Sequence, residues 1–530
     1  MQRDSIWSAL QQPWDLIIIG GGITGAGILR LAAGAGLRAL LLEARDFSSG
    51  TSSRSSKLVH GGFRYLRNRQ FSVTAESVRE REWLLREARC LVSPLSFLLP
   101  NYDLYHIPDR ELGLGVLIYD LLAPKWQHQT LSPAALRQRC PLLNPAGLIA
   151  AHRYVDAQVD DSRLVIRELR EAERTGALAL NYAPVEDLLR AADGRVCGVR
   201  VRDAAHPAGR TLELNACVVI NAAGPDCDAL RAHLKHAPPR LRKQRGSHLV
   251  FAHHRLPLSE AITLFHPRDR RAMFVLPWEG TTVVGTTDLD HDPALEAGGA
   301  EPFAAAAEIE YILAAVQHLF PAQEISAADI VSSFAGLRPI IRSGDMHPSK
   351  ASRAHQVWDE DGLITITGGK LTTFRIMARA ALRAVAPRLN CNPLNLRRPV
   401  FFDPLPVEAC LDPGLSFDDA AYLAGRYAAD TPALLAAAAP AELAPIDSAL
   451  PNCAAELRWA ARSEAVVHLD DLLLRRVRLG LLLPNGAADH LPGLRPLIQP
   501  ELGWDDRRWA AETQRYQTIW QRFYAPHPEG

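Results

Sequence analysis

Residues 15–43 read DLIIIGGGITGAGILRLAAGAGLRALLLE, and this stretch decides the fold class. The apolar run 16–19 is typical of a buried strand. It leads into Gly20-x-Gly22-x-x-Gly25. In this spacing the first glycine permits a tight turn, the second lets backbone N–H groups approach a pyrophosphate, and the third lets a helix pack closely against the strand. The pattern predicts a nucleotide-binding turn between a strand and a helix.

The residues that follow complete a strand–helix–strand unit. A helix is predicted over residues 22–36, and its N-terminus would favour the negative charge of a phosphate. A second apolar strand over residues 39–42 ends at Glu43, whose carboxylate can accept hydrogen bonds from the hydroxyls of an unphosphorylated adenosine ribose. A lone glycine motif would be explained better by close helix packing, but the ordered strands, helix and acid together favour nucleotide binding.

Length and composition are those of an ordinary globular protein of two or three domains. The chain has 530 residues, and 59 basic residues balance 59 acidic ones, so its global charge indicates no nucleic-acid partner. Its eight cysteines include no C-x-x-C pair, and no secretory signal precedes the first strand. We therefore expect reduced thiols, no metal site, a cytoplasmic location and no transmembrane segment.

Two further stretches indicate a flavin. Residues 47–66 read FSSGTSSRSSKLVHGGFRYL, and their hydroxyl groups and lysine offer hydrogen bonds to a second phosphate group and a flavin ring. The alternative for this stretch is a solvated serine-rich loop. Residues 363–373, LITITGGKLTT, again place a glycine turn between a strand and a helix. Such a turn can stabilise the negative charge that a flavin acquires on reduction.

The remaining chain is predicted to contain a β-rich part and a helical part. Residues 246–340 alternate short apolar strands with prolines and glycines, which suits an antiparallel substrate domain laid over the flavin. Residues 93–126 mix prolines, aromatics and apolar runs, and they fit either a buried insertion or a surface that touches lipid. Towards the C-terminus, helices are predicted over residues 417–438, 454–480 and 505–523.

Six motifs in this chain, in the same order over about residues 15–380, resemble those of the FAD-dependent glycerol-3-phosphate dehydrogenases: GGGITGAG, TSSRSSKLVHGGFRYL, GSHLVF, VVGTTD, GLRP and GGKLTTFR. The resemblance implies an α/β flavoprotein, with a Rossmann-like FAD-binding domain interleaved with a β-rich substrate domain and followed by a C-terminal helical domain. An oxidoreductase unit would then comprise FAD-binding segments at about 1–90, 150–235 and 345–395 and substrate-domain segments at about 91–149 and 236–344, with the helical domain at 396–530.

The resemblance also implies an activity. Such enzymes oxidise sn-glycerol 3-phosphate to dihydroxyacetone phosphate by hydride transfer from C2 to FAD, and pass the electrons to a membrane quinone. We expect peripheral association with the cytoplasmic membrane, and a homo-oligomeric state stays open. Two other classes also stay open, namely a flavin oxidase of an amino or hydroxy acid that uses oxygen, and a non-catalytic flavin-binding or tRNA-modifying protein.

Candidate site residues follow from the same resemblance, because the oxidation needs a base for the C2 hydroxyl and a clamp for the phosphate. Candidates for proton removal are Arg338, His60 and His248. Candidates for substrate binding are Arg64, Tyr65, Thr287, Arg338, Arg353 and Lys370. Candidates for FAD binding are Gly20, Gly22, Gly25, Glu43, Thr51, Ser52, Ser56, Gly224, Gly369, Leu371 and Thr372.

Three positions depart from the pattern of the family that the motifs resemble. Thr24, Asp226 and Ala354 stand where Asn, Trp and Asp are common. The change at Ala354 removes an expected acidic partner from a neighbouring basic residue. It therefore bears on the choice of substrate more than on the choice of cofactor.

Overall fold

The computed structural model contains the strand–helix–strand unit that the glycine-rich stretch predicts. The first strand spans Trp14–Ile19, the helix Ile23–Gly34 and the second strand Ala39–Leu42. Nearly all of their side chains are buried, as expected for a unit at the centre of a parallel sheet. The structure describes residues 3–62, 71–122, 127–206, 209–235, 237–295, 301–342, 354–389, 400–403, 405, 407–410 and 415–526.

An eight-stranded sheet is built around this unit. With strands numbered in chain order, it contains β1 (Trp14–Ile19), β2 (Ala39–Leu42), β7 (Leu178–Leu180), β8 (Val185–Arg190), β9 (Val196–Arg202), β10 (Thr211–Asn221), β17 (His355–Glu360) and β18 (Leu363–Gly368). Its order is β17-β18-β10-β1-β2-β7, with β9 on β10 and β8 on β9. The strands from β18 to β7 are parallel, so their carboxyl ends meet at one edge, where ligands bind in such sheets.

A second sheet of ten strands packs beside the first and is mainly antiparallel. Its strands are β3 (Leu58–Val59), β4 (Val92–Tyr102), β5 (Gln129–Leu131), β6 (Leu148–Val159), β11 (Leu241–Ala252), β12 (Ala261–Phe265), β13 (Ala272–Trp278), β14 (Thr281–Gly285), β15 (Leu289–Asp290) and β16 (Ile330–Ile341). The order is β15-β11-β14-β13-β12-β4-β6-β3, with β16 on β11 and β5 on β6. The predicted β-rich part is thus confirmed, and β4 to β6 extend its sheet.

Helices cover the first sheet and form most of the C-terminal part. They are α1 (Arg3–Ala9), α2 (Ile23–Gly34), α3 (Phe71–Glu87), α4 (Asp109–Leu122), α5 (Pro133–Arg139), α6 (Asp161–Arg174), α7 (Cys227–Arg231), α8 (Ala306–Leu319), α9 (Phe374–Val385), α10 (Phe417–Tyr427), α11 (Thr431–Ala437), α12 (Ala454–Ser463), α13 (Leu469–Asp471), α14 (Leu479–Leu482), α15 (Leu491–Leu502) and α16 (Asp506–Phe523). The core helix α2 packs between α6 and α9. Across the described part of the chain, no helix has the length and apolar character needed to cross a bilayer.

The helix predicted over residues 454–480 is divided into several short helical segments in the structure. Helix α12 ends at Ser463, and Ala465 and Arg478 adopt left-handed backbone angles, with φ of 53° and 69°. The apolar periodicity that suggested a helix reflects burial on several short segments. These bends aim the side chains of Arg475, Arg476 and Arg478, which we call the C-terminal arginines, into the protein interior.

The C-terminal arginines contact the serine loop, which we define as residues 46–57. The carboxylate of Asp46 accepts two hydrogen bonds from Arg476, at 2.7 and 2.8 Å, and one from Nε of Arg475, at 2.5 Å. Arg478 donates to the carbonyl oxygen of Ser53 at 2.8 Å. These charges are fully or almost fully buried, so the C-terminal segment is tied to the serine loop by desolvated ion pairs.

Candidate active site

A cavity of about 1340 Å³ opens at the carboxyl edge of the first sheet and continues beneath the second sheet. The glycine turn after β1, the serine loop, the turn after β10 and the glycine turn after β18 line it. Of the predicted FAD-binding residues, ten line this cavity: Gly20, Gly22, Glu43, Thr51, Ser52, Ser56, Gly224, Gly369, Leu371 and Thr372. The structure therefore brings together four segments of the chain, the last of which lies more than 300 positions after the first.

The first glycine turn is shaped by its contacts with the protein backbone. Gly20 has φ of 115°, a value that favours glycine, and a side chain there would overlap the carbonyl group of Ala222. Gly25 does not line the cavity. A Cβ atom on Gly25 would overlap the carbonyl oxygen of Gly20, so this glycine serves the close packing of α2.

Glu43 lies at the end of β2, beside the first glycine turn. Its Oε2 atom accepts a hydrogen bond from the backbone N–H of Gly21 at 2.6 Å, and Oε1 accepts one from Arg45 at 2.8 Å. Both bonds hold the carboxylate at the wall of the cavity. This position suits the predicted contact with ribose hydroxyls.

The serine loop is organised by contacts with the rest of the protein and is not simply solvated. Ser52 Oγ accepts a hydrogen bond from the N–H of Ile23, at the start of α2, at 3.0 Å. Thr51 Oγ1 donates to the carbonyl oxygen of Leu337 at 2.5 Å. The fully buried Lys57 donates to Asp161 at 2.9 Å. Its pKa falls to about 7 because burial and the nearby guanidinium of Arg478 disfavour its charge.

The glycine turn after β18 closes the opposite side of the cavity. Gly368 and Gly369 have φ of 80° and 66°, values that favour glycine, and the chain then enters a short 3-10 turn, Leu371–Thr373, before α9. The Nζ atom of Lys370 donates to Ser77 Oγ at 2.8 Å, and Lys370 itself lines the cavity. The turn thus combines backbone N–H groups at a helix start with a cationic side chain.

Arg338 lines the cavity from the end of the second sheet. Its Nη1 atom lies 3.2 Å from Asp288 Oδ1, and Nη2 donates to Thr286 Oγ1 at 2.9 Å. A Cβ atom on the neighbouring Gly246 would overlap the guanidinium, so this glycine leaves the space that Arg338 occupies. Arg338 is therefore held in place while part of it stays accessible from the cavity.

The two candidate histidines occupy different positions. His60 lines the cavity, whereas His248 does not, because it is buried behind Ser56 and stacks on Phe334 with ring centroids 4.7 Å apart. Ser56 Oγ and His248 Nε2 are 2.8 Å apart. Burial, with Arg338 and Lys57 nearby, lowers the pKa of His248 well below its ordinary value. The expectation that His248 removes the substrate proton is therefore not supported by its position.

Thr287 also differs from expectation. Its hydroxyl donates to Glu308 Oε1 at 2.6 Å and accepts a hydrogen bond from the N–H of Ser247, so Thr287 belongs to a buried network outside the cavity. Its neighbours Thr286 and Asp288 line the cavity instead. Three other predicted substrate-binding residues lie outside the described residues, and the structure says nothing of them: Arg64, Tyr65 and Arg353.

Sequence reasoning missed Arg270 and Arg271, which line the cavity on the turn between β12 and β13. The sequence does contain the charged run RDRR at residues 268–271, but such a run is typical of a solvated turn and does not by itself indicate a binding site. Tyr154 and Asp156 of β6 were also missed, and they line the same cavity. No cluster of three or more potential metal-ligating side chains occurs within the ranges that the structure describes.

Comparisons with known proteins agree with this geometry. The family model described as FAD dependent oxidoreductase matches residues 15–382, and that of the C-terminal domain of alpha-glycerophosphate oxidase matches residues 365–509. The aerobic glycerol-3-phosphate dehydrogenase of Staphylococcus epidermidis is 34% identical over 503 residues, which cover 90% of this chain and 89% of that protein. The aerobic glycerol-3-phosphate dehydrogenase of Bacillus subtilis is 38% identical over 396 residues, which cover 73% of this chain and 70% of that protein.

The chain belongs to the FAD-dependent glycerol-3-phosphate dehydrogenase family. The X-ray structure of the family member from Bacillus halodurans, complexed with FAD, covers all of this chain with a TM-score of 0.78 and 29% identity, and this chain matches 98% of that structure. The predicted α/β flavoprotein fold and the FAD cofactor are thus confirmed. Identity above 30% to glycerol-3-phosphate dehydrogenases also favours this family over the two alternative classes.

The residues present fit FAD. The two glycine turns offer N–H groups and close backbone approach for phosphates and for a flavin ring, and the cavity runs without interruption from Glu43 past the serine loop to Lys370. Glu43 and the first turn would hold the adenosine diphosphate part of the cofactor, and the turn around Lys370 would hold the flavin ring. Bound FAD supplies the electron acceptor for substrate oxidation.

We expect Glu43→Ala to weaken FAD binding by roughly 10- to 100-fold, because charge-assisted hydrogen bonds contribute about 1.5–3 kcal/mol. The dissociation constant can be measured by fluorescence quenching after removal and readdition of FAD. Glu43→Gln keeps an acceptor for the N–H of Gly21 and should lose less affinity. An unchanged dissociation constant for Glu43→Ala would exclude the ribose contact.

Proposed function

We propose that this chain oxidises sn-glycerol 3-phosphate to dihydroxyacetone phosphate, with FAD as hydride acceptor and a membrane quinone as the final electron acceptor. The observation that carries the proposal is the presence of cationic side chains, Arg338 and Lys370, in the cavity that also contains both glycine turns. A phosphate dianion needs more than one cation when it leaves water. An amino-acid or hydroxy-acid substrate would need only a carboxylate clamp.

Three residues of the cavity wall have proposed roles in the reaction. Arg338 and Lys370 bind the phosphate, with Arg338 presenting a planar fork and Lys370 a point charge. His60 lines the cavity and is the better placed of the two histidines to hold the proton of the C2 hydroxyl. Arg64, Tyr65 and Arg353 stay predicted contributors to the same phosphate site.

A substrate panel under anaerobic conditions tests the reaction. Glycerol 3-phosphate should bleach the flavin absorbance, whereas glycerol, lactate and glycine should not do so at the same concentration. Reoxidation should be faster with a soluble quinone analogue than with oxygen. Bleaching by an amino or hydroxy acid but not by glycerol 3-phosphate would replace the proposed substrate, and rapid reoxidation by oxygen alone would replace the proposed acceptor.

Helix α4 supports the peripheral membrane association that a quinone acceptor needs. Leu114, Ile118 and Leu121 recur at helical spacing on one face, and Leu114 and Leu121 are 56% and 59% exposed. Leu114 and Ile118 also line the cavity, so this apolar face is continuous with the entrance to the flavin site. Amphipathic or apolar helices of this kind insert into the interfacial region of a bilayer.

We expect the double variant Leu114→Ser and Leu121→Ser to lower partitioning onto lipid vesicles by roughly 10-fold or more, since full burial of one leucine contributes about 1.5–3 kcal/mol. Flotation with liposomes measures the bound fraction. Phe417→Ser is a matched control because Phe417 is 66% exposed on α10, away from the cavity lining. Equal losses in both variants, or no loss in the first, would contradict a membrane role for α4.

A further inference from the structure

The turn between β12 and β13 adds two cations to the cavity wall. Arg270 and Arg271 line the same cavity as Arg338 and Lys370. Arg271 is held at the wall, whereas Arg270 is exposed at the entrance. Neither residue is part of the motifs that indicated the fold and the cofactor, so their presence needs its own explanation.

Arg271 and Arg338 share one buried carboxylate. Nη2 of Arg271 lies 2.7 Å from Oδ2 of Asp288, and Nη1 of Arg338 lies 3.2 Å from Oδ1. The Asp288 side chain is 1% exposed, while those of Arg271 and Arg338 are 17% and 26% exposed. The carboxylate therefore aligns two guanidinium groups whose accessible parts belong to one cavity.

Asp288 therefore contacts two cationic side chains, Arg271 and Arg338, and all three residues stand at one part of the second sheet. The nearby acidic residue on the same turn, Asp269, is 52% exposed and accepts hydrogen bonds from Tyr311 at 2.9 and 3.0 Å and from the N–H of Arg271. Two guanidinium groups at a partly dehydrated wall favour an anionic ligand, because low dielectric strengthens the attraction.

Arg270 is held in an unfavourable backbone conformation. Its φ is 58°, in the left-handed region that side chains other than glycine rarely adopt, and its N–H donates to the carbonyl oxygen of His266 at 2.8 Å. Glycine would fit this tight turn with less strain. The arginine at this position places an extra positive charge at the entrance of the cavity.

We infer that Arg270 and Arg271 form a second phosphate-recognition element, which selects phosphorylated small polyols over their unphosphorylated forms. Arg271 binds the phosphate together with Arg338, and Arg270 attracts the dianion from solvent. This inference rests on the proposed function. It deepens that function by naming residues that determine the preference for a phosphate ester.

Binding of inorganic phosphate tests the inference without requiring turnover. Isothermal titration calorimetry of the FAD-loaded protein should show phosphate affinity lowered about 10- to 100-fold in Arg271→Gln, since a charge-assisted bidentate contact is lost. Arg271→Lys keeps the charge but not the fork, and should fall between that variant and the wild type. If Arg271→Gln does not retain FAD, the phosphate affinity of Arg271→Lys is compared with that of the wild type instead, and a lower affinity is again expected.

The variant Arg270→Gly tests whether the charge of Arg270 attracts phosphate without a structural role for its side chain. Its phosphate affinity should fall about 2- to 5-fold at low ionic strength and match the wild type at high salt, because exposed charges are screened. Its melting temperature should not fall, since the left-handed conformation suits glycine. Arg268→Ala is the control, because Arg268 is exposed on the same turn, pairs with Glu310 and does not line the cavity.

The kinetic readout distinguishes this inference from the proposed function. In the wild type, glycerol 3-phosphate should be far better than glycerol, and Arg271→Gln should raise KM for glycerol 3-phosphate more than it lowers kcat. Unchanged phosphate affinity in Arg271→Gln or Arg271→Lys overturns the inference even if glycerol 3-phosphate is oxidised. Arginine-dependent phosphate binding without glycerol 3-phosphate oxidation supports the inference and refutes the proposed reaction.

Discussion

Arg338→Ala is expected to lower kcat/KM for glycerol 3-phosphate by about 30-fold to several-thousand-fold. Removing one partner from a buried charge-assisted contact costs roughly 2–5 kcal/mol. Here the loss has two parts, because Arg338 would contact the phosphate and also pairs with Asp288, whose side chain is only 1% exposed. Steady-state kinetics with glycerol 3-phosphate and a soluble quinone analogue measure the effect.

One further variant, one control variant and one alternative substrate make the Arg338 result specific. Arg338→Lys should recover only part of the loss, because an ammonium group cannot reproduce the planar fork. Arg342→Ala is the control, since Arg342 lies just beyond the same strand, is exposed and does not line the cavity. With unphosphorylated glycerol, Arg338→Ala should behave much like the wild type. Near wild-type efficiency of Arg338→Ala with full FAD content would exclude the phosphate clamp.

Asp46→Asn is expected to destabilise the protein by about 3–5 kcal/mol, the usual consequence of removing one partner from a buried ion pair. Asp46 is fully buried and accepts hydrogen bonds from Arg475 and Arg476. Without that charge, Arg476 loses its direct ion-pair partner, while its Nε still donates to the carbonyl oxygen of Glu464 at 3.0 Å. Because Asp46 begins the serine loop, FAD retention should fall together with the denaturant midpoint.

A surface ion pair provides the control for Asp46. Glu186 pairs with Arg202 at 2.6 Å, with side chains 36% and 44% exposed, so Glu186→Gln should change stability by less than about 1 kcal/mol. Denaturant unfolding followed by fluorescence compares the two variants. A loss for Asp46→Asn no larger than that for Glu186→Gln would show that the C-terminal arginines do not anchor the serine loop.

The same ion pair predicts a pH dependence of stability. Burial alone would raise the pKa of Asp46, but Arg476 and Arg475 lower it to about 2. Since the folded pKa lies below the unfolded value of about 3.9, the carboxylate stabilises the fold above pH 4, and this contribution disappears as the pH falls towards 2. The stability difference between the wild type and Asp46→Asn should therefore shrink in this acidic range.

Local sequence determined the central unit and the cofactor. The strand–helix–strand unit, its glycine turn and Glu43 could all be predicted because they belong to one short continuous segment whose spacing follows from backbone geometry. The second glycine turn, around Gly369, was recognisable for the same reason. The six ordered motifs added the family, which the comparisons confirm.

Tertiary structure alone decided which neighbours in a motif face the cavity. Thr287 was predicted from the motif VVGTTD, but the chain direction at the end of β14 places Thr286 and Asp288 at the wall and Thr287 in a buried network. Adjacent side chains on an extended chain point to opposite sides, and sequence alone cannot say which side is buried when both carry small polar groups.

Which charged side chains are buried, and with which partners, was likewise decided only by tertiary structure. In the sequence, Arg475 and Arg476 follow an apolar helical run and are typical of the solvated side of a helix. Arg271 lies in a charged run that is typical of a surface turn. Their partners are Asp46, more than 400 positions away, and Asp288, on the far side of a hairpin. Desolvating a charge costs free energy, which an opposite charge must offset. The pairing depends on the folded arrangement of distant segments, which no local pattern encodes.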